Sequence, residues 1–438
     1  MKVAEPDWLG WLPKGWSAKR LKYLSTINDE TLSETTDPDL EFLYVDIGSV
    51  DANEGIQRKE SMFFELAPSR ARRIVRNGDT IVSTVRTYLR AVAPIEQPEK
   101  NLIVSTGFAV VRPKGVESKF LAYCLRSSCF IETVVSRSVG VSYPATNPTD
   151  VSCIKLPVPP VETQQAIANF LDAKTAEIDT LIAKKRALIY KLKEKRSALI
   201  ACTVTRSLLP DSAMKASGVE WLGEVAHHWQ VKPLKHVAHI GNGSTPARDN
   251  AEYWEDGVFP WLNSSVVNLA EVTEAVELVT ATALRMCHLP KIQPPAVLVG
   301  ITGEGRTRGM ATTLKIEATI NQHIAFIKPM AARAEANYLR RVMDRAYQFL
   351  RSESEGGGST KGAITCDQIA NMKVPVPPLA EQLTIAVYLD RETLRLDKLA
   401  MKVEAAIACL TEYRQALITS AVTGKIDVRQ WQDDKKAA

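Results

Sequence analysis

The segment from Lys155 to Asp179, KLPVPPVETQQAIANFLDAKTAEID, returns as KVPVPPLAEQLTIAVYLDRETLRLD from Lys373 to Asp397, with roughly half of the positions identical. The match runs on without a gap to Val204-Thr205 and Val422-Thr423. Nearer the N-terminus, Trp8-Leu9-Gly10, Trp16, Leu21-Lys22 and Ile27 return at a second fixed offset as Trp221-Leu222-Gly223, Trp229, Leu234-Lys235 and Ile240. Self-similarity at a fixed offset reports architecture that local propensity cannot. Solenoid repeats have periods of about 20–50 residues and need several copies, whereas only two copies of a much longer unit are present. A chain of 438 residues written this way must build one domain-plus-helix unit twice.

Each unit opens with a mixed pattern. In the first, EFLYVDIGSV, DTIVSTVRTYL, LRAVAPI and LIVSTGFAVVRP read as short strands punctuated by Gly, Pro and Asn; VFPWLNSSVV, PAVLVGITG and ATINQHIAFIKP are their counterparts in the second. Helical patches, SKFLAYCLRSSCFIETVV and ANYLRRVMDRAYQFLRS, follow in both halves, so the sequence predicts an α+β globular domain twice.

After each PVPP segment the pattern changes. Proline favours a helix start, and none recurs before Pro210 in the first copy or before the chain end in the second. Two helices of about 45 residues follow, each about 65 Å long at a rise of 1.5 Å per residue. In the second, Leu389, Leu396, Val403, Leu410 and Leu417 fall every seventh residue; the first carries Leu171, Ile178, Lys185, Leu192 and Leu199 in the same register. This is a coiled-coil seam with one charged interruption. Helices that outrun a domain of about 150 residues must pack elsewhere, and each is the other's obvious partner. The short linker predicts that they run antiparallel about a pseudo-two-fold axis, giving two globular domains at a fixed spacing. The expected boundaries are a first globular domain over 1–155, a helical spacer over 156–206 and a linker over 207–217. A second domain over 218–373, a second spacer over 374–425 and a polar tail over 426–438 complete the chain.

Several functions are disfavoured at this level. The seven cysteines are scattered without a CxxC pair, so neither a disulfide framework nor a zinc site is indicated. The opening MKVAEPDWLGWLPKGW lacks a basic region followed by an apolar run, and no segment supplies eighteen uncharged apolar residues. A cytoplasmic protein without membrane attachment is expected. The net charge of +5 tolerates nucleic acid without arguing for it. His227, His228, His236 and His239 have ligand-like spacing, but the repeat aligns them with Lys14, Gly15, Tyr23 and Thr26, so the shared framework needs no metal there. Gly356-Gly357-Gly358-Ser359-Thr360-Lys361 does not fit the order of a Walker loop and reads as a flexible loop against a phosphate backbone. Asn147-Pro148-Thr149-Asp150 lacks the second proline and the aromatic of an adenine methyltransferase loop, and no Gly-rich cofactor loop precedes it.

GNGSTPARDNAEYWEDGVFPWLNSS, from Gly241 to Ser265, resembles the opening of a target recognition domain of the specificity subunits of type I restriction-modification systems. The paired KLPVPPVETQQAIANFLD and KVPVPPLAEQLTIAVYLD resemble the same family's repeated helix starts, and the resemblance covers nearly the whole chain. It implies a non-catalytic reader of double-stranded DNA. Each recognition domain would read one half of a bipartite site, and the helices would set the spacing. Two methyltransferase (M) subunits docked on the helices would flip out and methylate an adenine in each half, and restriction/translocase (R) subunits would complete the complex. No cofactor is expected on this chain; S-adenosylmethionine, ATP and Mg are implied for the partners. Because the two domains differ outside their framework, the site should be asymmetric.

For DNA contacts the candidates are loop side chains whose chemistry suits base edges or phosphates. In the first domain these are Arg70, Arg72, Arg73, Arg76, Arg86, Arg90, Ser142, Tyr143 and Asn147. In the second they are Asn242, Ser244, Thr245, Arg248, Asn263, Ser264, Arg306, Arg308 and Lys361. Two other readings compete. A specificity subunit of a type IIB-like system would look much the same, and a coiled-coil scaffold would explain the helices but not two domains that share a framework while diverging in their loops.

Overall fold

The computed structural model describes residues 9–209, 212–303, 305–355, 362–428 and 431. The chain divides into two compact units, residues 1–187 with 403–438, and residues 188–402. Each unit contains one α+β domain together with part of both long helices.

In the first unit, strand Phe108–Pro113 pairs antiparallel with Ser25–Ile27 and with Thr80–Ser83, and Val92–Pro94 extends that sheet. A second sheet orders Glu60–Phe63, Glu41–Val45, Leu102–Ser105 and Ala71–Ile74, with Leu102–Ser105 parallel to Glu41–Val45. Alternation along the strands separates two cores, because successive side chains leave opposite faces of a sheet. Val82 and Val111 join Phe120, Leu125, Phe130 and Leu171 on the helical side. Their neighbours Ile81 and Val110 join Val104 and Phe108 on the other.

The second unit repeats the plan. Ala238–Asn242, Ile324–Pro329, Ala296–Gly300 and Ala311–Leu314 form consecutive strands of a five-stranded sheet. Val297 and Val299 face Tyr338, Leu339 and Val342, while Ala296 and Leu298 face Leu314 and Ile320.

The PVPP segments differ from expectation in one respect. Lys155–Val158 is a strand paired with Ser17–Arg20, Ser17 opposite Val158, and Lys373–Val376 pairs with Gln230–Pro233 in the equivalent register, Gln230 opposite Val376. The first domain therefore extends to Val158 rather than 155. An extended X-Pro segment is compatible with a two-stranded edge pairing, and the helices begin just after it, at Val161 and Leu379.

Each helix start is tied to its own domain by a buried glutamine. The Gln164 side-chain amide donates to the Pro159 carbonyl at 2.8 Å, and its oxygen accepts the Glu117 N–H at 2.9 Å. Gln382, its repeat equivalent, donates to the carbonyls of Pro377 at 2.9 Å and Arg333 at 3.0 Å and accepts the Glu335 N–H at 3.0 Å. Glu381 alone adds a second anchor, accepting from Ser207 Oγ at 2.6 Å and from Trp229 Nε1 at 3.1 Å, with His228 Nε2 at 2.9 Å. One of the candidate metal-ligand histidines is thus part of a helix anchor.

The long helices run Val161–Thr203 and Leu379–Val422 without an internal glycine or proline. Leu171, Ile178, Leu192, Leu389, Val403 and Leu417 are buried; Leu199, Leu396, Leu410 and Lys185 are half-buried. In the first unit Ile178 and Ile182 pack with Ile407, Leu410 and Leu417, and Arg414 clamps Asp179 through Nε–Oδ1 at 2.9 Å and Nη2–Oδ2 at 3.2 Å. In the second, Ile200 packs with Ile385 and Leu389, and Arg196 Nε meets Asp397 at 3.2 Å. Arg196 and Arg414, like Asp179 and Asp397, are repeat equivalents, so one ion pair is made twice. Within each unit the helices run antiparallel: Phe170 stacks edge-on against Trp431 while Asp179 meets Arg414, and Glu381 reaches Ser207 while Asp397 meets Arg196.

Two expected connectors carry structure. Met214–Ala216, inside the expected linker, pairs antiparallel with Glu224–Ala226. The expected polar tail begins with residues that pack: Val428 is buried, and Ile426 and Trp431 lie against the first unit's core. Gly424, with φ of 74°, turns the chain there, and a side chain at this position would collide with Pro13.

Candidate nucleic-acid interface

In the first domain two loops meet beyond the strand Thr80–Ser83. One carries Thr87–Leu89 as a single helical turn flanked by Arg86 and Arg90, both left-handed with φ of 53° and 55°. Non-glycine residues adopt that region only where their surroundings hold them. The second loop, 137–147, does the holding. The Thr146 N–H donates to the Thr84 carbonyl at 2.8 Å and the Thr87 N–H to the Pro144 carbonyl at 3.4 Å. Val139 and Ala145 exchange backbone hydrogen bonds at 2.9 and 3.0 Å. Ser138 Oγ donates to the Val134 carbonyl at 3.0 Å and lies 2.7 Å from Thr87 Oγ1; its one proton spent, it accepts from Thr87. Beneath the tip Thr84 Oγ1 donates to the Gly107 carbonyl at 2.9 Å. A buried hydroxyl network thus fixes a tip of exposed Arg86, Tyr88, Arg90, Val141, Ser142 and Tyr143, with the Arg86 guanidinium 5.0 Å from the centre of the Tyr143 ring.

The same two loops recur in the second domain after the strand Ala296–Gly300. The Ile364 N–H donates to the Ile301 carbonyl at 2.8 Å, matching the bond from Thr146 to Thr84. Tyr347 OH donates to the Arg306 carbonyl at 3.0 Å and Arg351 to the Gly305 carbonyl at 2.7 Å, leaving the Arg306 side chain exposed. Lys361 and the glycine run before it lie outside the described residues.

The structure sorts the remaining candidates. Arg70 is exposed beside the strand Ala71–Ile74. Arg72 lies over the Phe64 ring at 4.5 Å, and Arg76 pairs with Glu30 at 2.7 Å. Arg73 is half-buried, with a lowered pKa caused by burial and no partner for its Nε. Arg90 meets Glu132 at 2.5 Å in an exposed pair. Arg248 is held by Glu277 at 2.8 and 3.1 Å and stacks over Trp254 at 4.0 Å and Trp261 at 4.7 Å, so it organises its own loop.

Three candidates have structural roles of their own. Arg308 is buried and pairs with Glu355 at 3.0 Å, a support beneath the loop rather than part of its tip. Asn147 caps the helix Pro148–Ser152 by accepting the Asp150 N–H at 2.8 Å, and Asn263 caps the turn Ser264–Asn268 by accepting the Ser265 N–H at 2.9 Å.

Asn242 is exposed at the end of its strand, with Ser264 half-buried. Ser244 donates its N–H to the Ile320 carbonyl at 3.1 Å. Thr245 Oγ1 donates to Gln322 Oε1 at 2.6 Å, Gln322 Nε2 is 3.3 Å from His323 Nε2, and His323 Nδ1 is 2.8 Å from Thr302 Oγ1. Because the Gln322 oxygen accepts from Thr245, its amide nitrogen donates to His323, which places the imidazole proton on Nδ1. Gln322 and His323 were absent from the sequence candidates, although the polar triplet Asn321-Gln322-His323 between two apolar strands signalled them. Gln322 is exposed, and a carboxamide of this kind suits an adenine edge. No cluster of three or more metal-ligating side chains occurs among the described residues.

A model of the type I restriction modification DNA specificity domain matches residues 13–190 and again residues 227–405. A putative type I restriction enzyme MjaX specificity subunit of Methanocaldococcus jannaschii is 23% identical over 361 residues, spanning 80% of this chain and 79% of the relative. The type I restriction enzyme HindI specificity subunit of Haemophilus influenzae is 21% identical over 444 residues, spanning 88% and 94%. Among solved structures, a chain from a study of complex assembly in a type I R-M system superposes with a TM-score of 0.74 at 24% identity, covering 95% of this chain and all (100%) of that one. The HsdS subunit from Thermoanaerobacter tengcongensis superposes with a TM-score of 0.53 at 24% identity, over 95% and 98%; both likenesses establish the fold. With two copies of the same specificity domain, each match running well into its long helix, the chain belongs to the type I restriction-modification DNA specificity family.

Proposed function

We propose that this non-catalytic specificity subunit reads an asymmetric two-part DNA site, one half through the Arg86–Arg90 and 137–147 loops and the other through Thr245, Gln322 and the loop residues Arg306 and Thr307. The observation that carries this is the recurrence of one loop pair, tied by the same backbone bond, with unrelated side chains in the two domains. A shared frame with different tips is what two different half-sites require. Arg70 and Arg306, exposed and charged, supply phosphate contacts. The unbroken helices fix the unread gap between the halves, because a helix without glycine or proline is a stiff spacer.

The partners are two methyltransferase subunits on the helices and restriction/translocase subunits beyond them; S-adenosylmethionine, ATP and Mg belong to those subunits. Leu181 and Leu399 support two equivalent docking positions: they are repeat equivalents, and both are exposed, 43% and 44%. The cytoplasm is the compartment of such a complex, consistent with seven free cysteines. Among the described residues no helix is long and apolar enough to cross a membrane.

The test is selection from randomised duplexes by the full chain co-expressed with its methyltransferase subunit. Two conserved, unlike halves around a fixed unconserved gap are expected. A single continuous motif, or none, would contradict the proposal.

A further inference from the structure

The two loop pairs share a frame, but only one carries large apolar side chains at its tip. In the first domain Val141 is fully exposed at 100%, Val139 is 81% exposed, Tyr143 63% and Tyr88 53%. At the equivalent place in the second domain the described residues are Thr302, Gly303, Gly305, Arg306 and Thr307, and the sequence of the other loop, Gly356 to Lys361, is GGGSTK. An isolated exposed apolar residue is unremarkable. Four on two abutting loops, beside Arg86 and the Glu132-paired Arg90, both held in left-handed backbone, form an apolar tip with basic side chains at its edge.

We propose that Tyr88 and Val141 form a wedge that enters the base stack of the half-site read by the first domain, so that the two halves are read by different physics. This rests on the DNA-reading function proposed above. Three features name DNA rather than protein as the occupant. Arg86 and Arg90 lie two residues either side of Tyr88, Arg86 beside the Tyr143 ring and Arg90 in an exposed pair with Glu132 that a DNA phosphate can replace. The apolar residues sit on a single helical turn and a loop rather than along a long helix or a sheet face. Its hydroxyl frame is fixed before binding, as a wedge that must hold bases apart requires. The second domain, with glycines and Arg306 at the same place, follows the backbone without opening the stack.

The test uses the full chain assembled with its methyltransferase subunit. Duplexes of the selected site carry 2-aminopurine, one purine at a time, at positions other than the methylated adenines. A fluorescence rise at one step within a single half-site is expected. The variant Tyr88→Ser/Val141→Ser should abolish it and bind roughly 10-fold more weakly, the worth of one base–aromatic stack, whereas Arg306→Ala should weaken binding and leave the rise intact. Sequence-specific binding with no rise, with equal rises in both halves, or unaltered by the double variant would overturn the wedge. Loss of assembly with the methyltransferase in the double variant would also overturn it, marking the tip as a protein contact. Absence of sequence-specific binding by the native complex would instead overturn the proposed function.

Discussion

Replacing Gln382 by leucine removes a buried carboxamide that three backbone groups depend on, the Glu335 N–H and the carbonyls of Pro377 and Arg333. The same change at Gln164 orphans two, the Glu117 N–H and the Pro159 carbonyl. Leucine keeps the volume, so the cost comes from the stranded polar groups. At about 1–1.5 kcal/mol for each group left without a partner, Gln382→Leu costs about 3–4.5 kcal/mol and Gln164→Leu about 2–3 kcal/mol. Each kcal/mol shifts the midpoint of a unit of this size by about 2–4 °C, so the first variant should melt roughly 10 °C lower in its own unit. Hydrogen exchange read on peptides from each unit through a urea series gives the two values separately. The loss should stay in the unit that carries the substitution, with Gln382→Leu the larger. Equal costs, or a cost below about 0.5 kcal/mol at either position, would refute the view that these glutamines lock the domains to the helix starts.

Other consequences concern charge. Burial works to raise the pKa of Glu381, but hydrogen bonds from Ser207, His228 and Trp229 outweigh it and hold the carboxyl below its ordinary value. Its folded-state pKa being lowered, its stabilisation is complete above the ordinary glutamate range and is lost as pH falls through the lowered value. Amide exchange at the start of the second long helix should therefore rise only in acid, and Glu381→Gln should remove that step. Arg414 is nearly buried, its side chain 8% exposed against 29% for Arg196. Arg414→Ala should cost about 1–2 kcal/mol and Arg196→Ala under about 0.5 kcal/mol, as read by urea unfolding. Arg306→Ala should leave the melting midpoint unchanged and weaken DNA binding about 5–10-fold with a shallower salt dependence. Arg308→Ala should lower the midpoint first, because it empties the buried site that the Arg308 side chain fills.

Long-range order was the legible part of the sequence. The duplication placed two α+β domains and two helices, and the seventh-residue register of Leu389, Val403 and Leu417 identified the face that is buried. Even the interruption at Lys185 sits half-buried on that face, where a long aliphatic stem can cover apolar surface. What failed to show was local and polar. Asn147 and Asn263 serve as caps, a role the sequence did not show because a helix cap and a base edge need the same chemistry and only the backbone that follows reveals the cap. Arg308 and Arg306 are two residues apart and alike in type, yet one is buried and the other exposed. Gln322 and His323 acquire partners from Thr245 and Thr302, far along the chain, so no local pattern could connect them. The segment after Gly424 looked like a tail because charge dominates its end, while Val428 and Trp431 do the packing.

The most direct test of two independent readers is to exchange one domain, residues 230–376, for that of another specificity chain. N6-methyladenine is then mapped genome-wide in cells that also express the methyltransferase subunit. The methylated motif should change in one half only, with the other half and the gap retained. A motif that changed in both halves, or kept both unchanged, would contradict the assignment of one half-site to each domain.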